Sequence, residues 1–537
     1  MRRTPRLMLA GILLLAFVGV ATTRALRKGE RQTEASTLAA VPSRSNLPTA
    51  VVSLTDPELG QLIDRAIDTS GLAAARWGVS VVSLQDGRIL YARNADKLFT
   101  PASNMKIYTT AVALDLLGPA YQWRTSVYAN SQPDSNGFLQ GDLTLYGRGA
   151  PDLSSQSNKD GRASLMQLAD DLYQRGVRHL GGNVIGDESY FRAEPFGSGW
   201  QWNDLQWYFG AEPSALSIND NQVDVEIKPA SNAGEAALAR LKGAQEYVHL
   251  RNDMLTVKRD EQMTVGVNRG LSNNEIRVWG EIPLGAREFG YHLSVHDPAL
   301  WAARLLITAL KARGITVDGN AHTRDFRVPQ NARFDSTKAI ELANVLSKPL
   351  SDIVRATNKE SINLNAELIL RTLGRERGEI APDADAHQTH ERGDDEAGLA
   401  VIRQWLDRAG VKTDNLALHD GSGLSRLDLV TPHSSAQLLL AISRTAAAPV
   451  FRASLPLAGS DGTLQGRLRL YKDRISAKTG SLVYDNSLSG FVNTAGGEPL
   501  AFSVMCNDQT SPSSSIRLID EIASILADFG SPKLGKP

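Results

Sequence analysis

A single cysteine, Cys506, stands in a chain of 537 residues. No intramolecular disulfide can form, so the fold rests on packing alone. Its setting, LAFSVMCN, is an apolar, strand-like run and reads as a buried, inert thiol. Neither sign of charge is in excess: Lys and Arg number 58, Asp and Glu 59. That balance gives no general attraction for a polyanion, and nucleic acid is not an expected partner. No apolar run reaches the roughly 20 residues that span a bilayer comfortably. One shorter run, Leu7 to Val20, follows a basic stretch (Arg2, Arg3, Arg6) and precedes small residues (Ala21, Thr22, Thr23, Ala25). This is the pattern of an export signal, cleaved or kept as an N-terminal anchor, over residues 1–25. The expected location is the periplasm or another extracytoplasmic part of the cell envelope, with membrane-surface association if the anchor is kept. G-x-S-x-G elbows, Walker loops, dinucleotide fingerprints and internal repeats are all missing, which removes the chemistries those motifs carry.

What is present suggests at least two domains, since 537 residues exceed one ordinary core. Residues 26–56 are rich in Ser, Thr, Ala and Pro and read as a linker. The stretch 56–71 has helical spacing, with Leu59, Leu62, Ile63 and Ile67 on one face. Residues 77–94 read as a hairpin turning at Asp86-Gly87. At the other end, 474–482, 488–495 and 500–507 read as three strands, followed by a helix over roughly 513–529. These five strands are expected to form one antiparallel sheet with the terminal helices packed on it. The catalytic domain would then be 57–120 and 291–537, with 121–290 a β-rich insertion. Helical periodicity at 297–314 is assigned to the resumed catalytic domain.

Three short motifs carry possible chemistry. In TPASNMK (100–106), Thr100 can cap a helix, and Ser103 and Lys106 fall one turn apart on one face. The following run is apolar on nearly every side, so Lys106 would lose hydration, its pKa would fall, and a neutral amine can take a proton from serine. The alternative is a capped core helix with a snorkelling lysine. In KTGS (478–481), Lys478 and Thr479 can hold a substrate carboxylate, and Gly480 would let substrate approach the strand closely; a polar strand end is the alternative. In SIN (361–363), Ser361 and Asn363 sit on a loop between two helical stretches. The crowd of His387, His390 and Glu391 within 383–396 matches no zinc-protease spacing and reads as a solvated loop, so no metal site is expected.

Taken in order, S-x-x-K, S-x-N and K-T-G resemble the motif set of penicillin-binding proteins and serine β-lactamases. The stretches DGSGLSR (420–426), LPLAGSDGTL (455–464), GRGAPDLS (147–154) and GWQWND (199–204) narrow the resemblance. They are similar to the class C, low-molecular-mass penicillin-binding proteins, D-alanyl-D-alanine carboxypeptidases/endopeptidases with a large insertion. Ile362 departs from the aspartate common in that motif. The resemblance implies an α/β, transpeptidase-like domain of antiparallel sheet and helices, interrupted by the insertion. It implies peptidoglycan stem peptides as substrates, β-lactams as covalent inhibitors and no cofactor. By the same resemblance Ser103 is the nucleophile, Lys106 its base and Ser361 the proton relay. Asn363 binds peptide, Lys478 and Thr479 bind the terminal carboxylate, and the Ser481 N–H joins that of Ser103 in the oxyanion hole. Asp204 is implied to meet the amino group of the stem peptide's diamino acid, against the plainer reading that it caps a turn while Trp200 and Trp202 anchor a core. A β-lactamase and a catalytically silent wall-binding protein of the same fold are the alternatives.

Overall fold

A computed structural model describes residues 57–154, 163–243, 246–329, 332–379 and 393–530. The leader and linker expected over 1–56 lie outside the described residues, as do His387, His390 and Glu391.

The two ends of the described chain make one five-stranded sheet. Its order is Ile475–Leu482, Asp485–Asn493, Pro499–Asn507, Arg76–Ser83, Ile89–Arg93, and every pair is antiparallel. The register sets Val79 opposite Val504 and Lys478 opposite Ser489. Both faces are covered, which is why these strands are buried nearly throughout instead of alternating. On one face lie the helices Pro57–Asp68 and Pro512–Asp528, whose Leu59, Ile63, Ile519, Ile522 and Leu526 meet Val79, Val504 and Cys506. Each such side chain contributes about 1.5–3 kcal/mol by leaving water. Cys506 is fully buried, and burial pushes its thiol up to about 12. On the other face the helix Pro432–Ile442 packs against Arg76–Ser83 and Pro499–Asn507. Behind it lies the apolar helix Met105–Leu116.

The inserted region is built on a second five-stranded sheet. Its order is Ala321–Arg324, Val184–Asp187, Leu143–Tyr146, Arg124–Ala129, Ile340–Leu346. Three three-stranded sheets accompany it, one of them centred on Gln222–Lys228, whose alternating Val223, Val225 and Ile227 point inward. The apolar cluster of this region starts at Val127 and runs to Val345, so the expected return to the catalytic domain at 291 falls inside it. The helix Pro298–Ala312 packs on the inserted strands Val184–Asp187 and Ala321–Arg324 and on the helix Ser164–Gln174. Its helical periodicity was the reason for assigning it to the catalytic domain, but periodicity reports a buried face and not the partner that buries it.

Candidate active site

The turn that carries Ser103 differs from the expected capped helix. Thr100 caps nothing with its side chain; instead its backbone N–H donates to Asn507 Oδ1 at 2.8 Å. A 3₁₀ turn, Ala102–Asn104, precedes the helix Met105–Leu116. Ala102 has φ 49°, a left-handed conformation unfavourable for alanine. Three neighbours hold it. The Asn104 amide donates to Ser487 Oγ at 2.5 Å, and Ser487 donates to the Pro101 carbonyl at 2.6 Å. Gly423, itself at φ +79°, lies so close that a Cβ there would stand 1.8 Å from the Ala102 carbonyl oxygen.

Lys106 follows on the first turn of the helix and is fully buried. An ammonium has three N–H donors, and all three are used. They go to Ser103 Oγ at 3.0 Å, Asn363 Oδ1 at 2.6 Å and the Ser422 carbonyl at 2.7 Å. Burial pushes its pKa down to about 8, against the pull of Asp420, Glu367 and Asp428. An amine so placed gives up its proton close to neutrality, and the Ser103 bond can then reverse, the hydroxyl donating to nitrogen.

The second lysine, Lys478, is also fully buried. It donates to Ser361 Oγ and to the Thr479 carbonyl, both at 2.9 Å. Burial first, and the nearby Lys106 second, hold its pKa well below the usual lysine value. Ser361 ends the helix Leu350–Glu360 at φ 62°, and Asn363 opens the helix Asn363–Arg377. The S-x-N turn thus gives one side chain to each lysine. The Thr479 hydroxyl donates to Thr463 Oγ1 at 2.7 Å, and Ser481 donates to Asn486 Oδ1 at 2.8 Å. Gly480 is needed for a reason besides substrate approach. A Cβ there would fall 2.2 Å from Ser487 Oγ and 2.6 Å from the Pro101 carbonyl oxygen, so the glycine lets the strand close on the Ser103 turn.

A strap from the insertion, Arg192 to Gly210, lies over this group. The Phe209 carbonyl accepts from Asn363 Nδ2 at 2.8 Å, and the Ser198 carbonyl accepts from Ser425 Oγ at 2.7 Å. Trp200 Nε1 donates to Asp420 Oδ2 at 2.9 Å. Asp420 in turn accepts the backbone N–H groups of Ser422, Gly423 and Ser425 at 2.6–3.1 Å, which folds the loop whose Ser422 carbonyl meets Lys106. Trp200 is therefore a hydrogen-bonding strut, and Trp202, 72% exposed, anchors no core. Asp420, Ser422, Gly423, Thr463 and Ser487 were not singled out from sequence; DGSGLSR and LPLAGSDGTL pointed at the right stretches without giving them a task. Asp204 lies in the same strap, partly buried. Its carboxyl is raised by burial, and the Arg426 charge and the Gln201 backbone N–H oppose that rise. Among the described residues no group of three or more His, Cys, Asp or Glu side chains is arranged to hold a metal ion.

With two serine–lysine pairs and an asparagine between them, the comparison with known proteins is direct. The family model described as D-Ala-D-Ala carboxypeptidase 3 (S13) matches residues 59–528. The chain belongs to this S13 family of D-Ala-D-Ala carboxypeptidases. The S13 enzyme is 33% identical over 485 residues to the D-alanyl-D-alanine carboxypeptidase of Actinomadura sp. (strain R39), covering 88% of this chain and 85% of that one. It is 28% identical over 434 residues to the D-alanyl-D-alanine carboxypeptidase DacB of Haemophilus influenzae, covering 79% and 84%. Among solved structures it is similar to penicillin binding protein 4 (dacB) from Haemophilus influenzae, with a TM-score of 0.73 and 25% identity over 87% of this chain and 99% of that one. The S13 enzyme is accordingly a serine peptidase with a penicillin-binding-protein fold.

Proposed function

We propose that this serine peptidase cuts the D-Ala-D-Ala end of peptidoglycan stem peptides, and cross-links between such peptides, through an acyl-enzyme on Ser103. The observation that carries the reading is the pair of buried lysines, each bonded to one serine hydroxyl: Lys106 to Ser103 at 3.0 Å and Lys478 to Ser361 at 2.9 Å. Neutral Lys106 takes the Ser103 proton as Oγ attacks the penultimate carbonyl. The backbone N–H groups of Ser103 and Ser481 stabilise the oxyanion. Ser361 relays the proton from Lys106 to the leaving amine, and the C–N bond breaks. Thr479 and Lys478 hold the terminal carboxylate, and the Asn363 amide binds the peptide. Water then attacks the ester and frees Ser103. β-Lactams acylate the same hydroxyl and leave slowly.

Asp204 takes the amino group of the diamino acid, a task supported by its place in the strap that also bonds Asn363. The leader-like residues 1–25 support a site of action outside the cytoplasm. Among the described residues no helix is long and apolar enough to cross a membrane. Mass spectrometry of purified muropeptides after incubation tests the reading. Loss of one D-Ala, or conversion of cross-linked dimers to monomers, is the expected product. No change in muropeptides, with no covalent penicillin adduct, overturns it, and rapid turnover of a chromogenic cephalosporin would make the protein a β-lactamase.

A further inference from the structure

An open cavity of about 700 Å³ adjoins the cleft and belongs to none of the roles above. Its rim includes Ile362, between Ser361 and Asn363, and Gly462, the neighbour of Thr463. Thr463 is bonded to Thr479, so the cavity begins at the end of the cleft where the leaving group departs. Arg426, bonded to the Val483 carbonyl at 2.9 Å, marks the other end of that strand, together with Asp204.

The wall presents hydrogen-bond acceptors, one of them without a donor. Asn365 lines it, is only 5% exposed, and its Oδ1 has no hydrogen-bond partner. A buried amide oxygen left without a donor is unfavourable, and a ligand N–H would satisfy it. The carboxylates of Asp152, which already accepts from the Lys348 N–H at 2.9 Å, and Asp220 also line it, both raised by burial, with Asp152 adding to the rise at Asp220. Asp220 is held there by a costly backbone: Asn219, Asp220 and Asn221 have φ 50°, 56° and 50° in succession. The turn is locked by Asn221, whose side chain accepts from the Ile218 N–H at 2.8 Å and donates to the Glu212 carbonyl at 2.8 Å and to Ser217 Oγ at 2.9 Å. Two ion pairs also line the wall: Lys359 with Asp461 at 2.6 Å, and Arg355 with Asp352 at 2.9 Å. Arg355 still leaves 61% of its side chain exposed at the rim, where it can meet a carboxylate.

We propose that this cavity is the subsite for the strand that leaves when a cross-link is cut, a second stem peptide joined through its side-chain amine to the scissile carbonyl. A peptide supplies amide N–H groups to Asn365, Asp152 and Asp220 and a carboxylate to Arg355. A single D-alanine, the leaving group in carboxypeptidase action, is too short to occupy it. In the step concerned the amide C–N bond breaks, the carbonyl carbon passes to Ser103 Oγ, and the serine proton ends on the departing amine. The proposal rests on the peptidase reading above and assigns the cavity to the endopeptidase half of it.

The test compares the full-length enzyme with Asn365→Ala and Asp220→Asn on two substrates, a cross-linked muropeptide dimer and an uncross-linked pentapeptide. Asparagine tolerates the left-handed backbone at 220, so the second variant guards against a folding failure in the first. Each variant should lose about 5- to 30-fold in kcat/KM on the dimer, the value of one or two lost hydrogen bonds. Pentapeptide trimming and penicillin acylation should stay within about twofold. Equal losses on both substrates, or unchanged dimer cleavage in both variants, overturn the proposal. A wild-type enzyme that trims pentapeptide but leaves the dimer intact also overturns it, while the peptidase reading stands. A wild-type enzyme that does neither and takes no penicillin label removes the peptidase reading itself.

Discussion

Replacing Gly423 by alanine should disable the enzyme without touching any group proposed to do chemistry. At φ +79° a Cβ at this position would stand 1.8 Å from the Ala102 carbonyl oxygen and 2.4 Å from its carbon. Both are backbone atoms of the Ser103 turn, so no side chain can swing aside. To reach even 3.0 Å the loop must withdraw by about 1.2 Å. The Ser422 carbonyl rides on that loop and accepts from Lys106 at 2.7 Å. The shift breaks that bond, and a hydrogen bond to a charged group contributes about 1.5–3 kcal/mol. The left-handed alanine adds about 1–2 kcal/mol. The expected loss is about 3–5 kcal/mol of stability, a fall of roughly 1 M or more in the urea midpoint. A displacement of this size beside Ser103 should also slow penicillin acylation by about 10²-fold. The assay is urea unfolding together with time-resolved labelling by a fluorescent penicillin. Gly466→Ala is the control, because a Cβ there meets nothing within 4 Å, and it should be nearly silent. A Gly423→Ala variant with wild-type midpoint and labelling rate would refute the contact between loop and turn.

Ser103→Ala should abolish covalent penicillin labelling with folding intact, as checked by mass spectrometry and circular dichroism; labelling that persists moves the nucleophile elsewhere. Lys106→Arg should stop acylation, since arginine keeps the charge but gives up no proton near neutrality, and a normal acylation rate would remove lysine from the base role. Acylation should slow as pH falls below about 8, because the folded enzyme's Lys106 regains its proton there and only the neutral amine accepts one. A rate flat from pH 6 to 9 would contradict that sign. Asp204→Asn should lower kcat/KM on a diaminopimelate-containing peptide roughly 5- to 150-fold while penicillin acylation hardly changes. Equal loss on both would mean damage to the common machinery.

Much of the catalytic half was legible because its signals are local. The Asp86-Gly87 hairpin, the three C-terminal strands and the closing helix announce themselves through turn residues and periodicity, and the sheet has that membership. The Ser103, Ser361 and Lys478 motifs were visible as motifs, and the fold brings their side chains within hydrogen-bond reach of one another's partners. What stayed hidden depends on contacts between distant segments. Nothing around Gly480 or Gly423 says that each makes room for the Ser103 turn. Nothing in GWQWND says that Trp200 reaches Asp420 while Trp202 faces solvent. The helix Pro298–Ala312 shows the same limit, since an amphipathic face does not name its partner. Thr100 looked like a cap because capping rules see only neighbours in sequence, whereas Asn507 had already claimed its backbone.

That claim by Asn507 bears on how the chain is made. The strand Arg76–Ser83 pairs with Ile89–Arg93 on one edge but finds its second neighbour only in Pro499–Asn507, and the Ser103 turn is braced by Ser487 and Gly480. A ribosome delivers the N-terminal strand long before its partner, so the hairpin Arg76–Arg93 must wait with one edge open. Closure of so distant a pair is a slow, late event. Until the last hairpin arrives, the Ser103 turn has no frame to hold Ala102 in its left-handed conformation. Competence for acylation is therefore expected only once Asn507 is in place, and fragments broken off before it are expected to be inert, not weakly active.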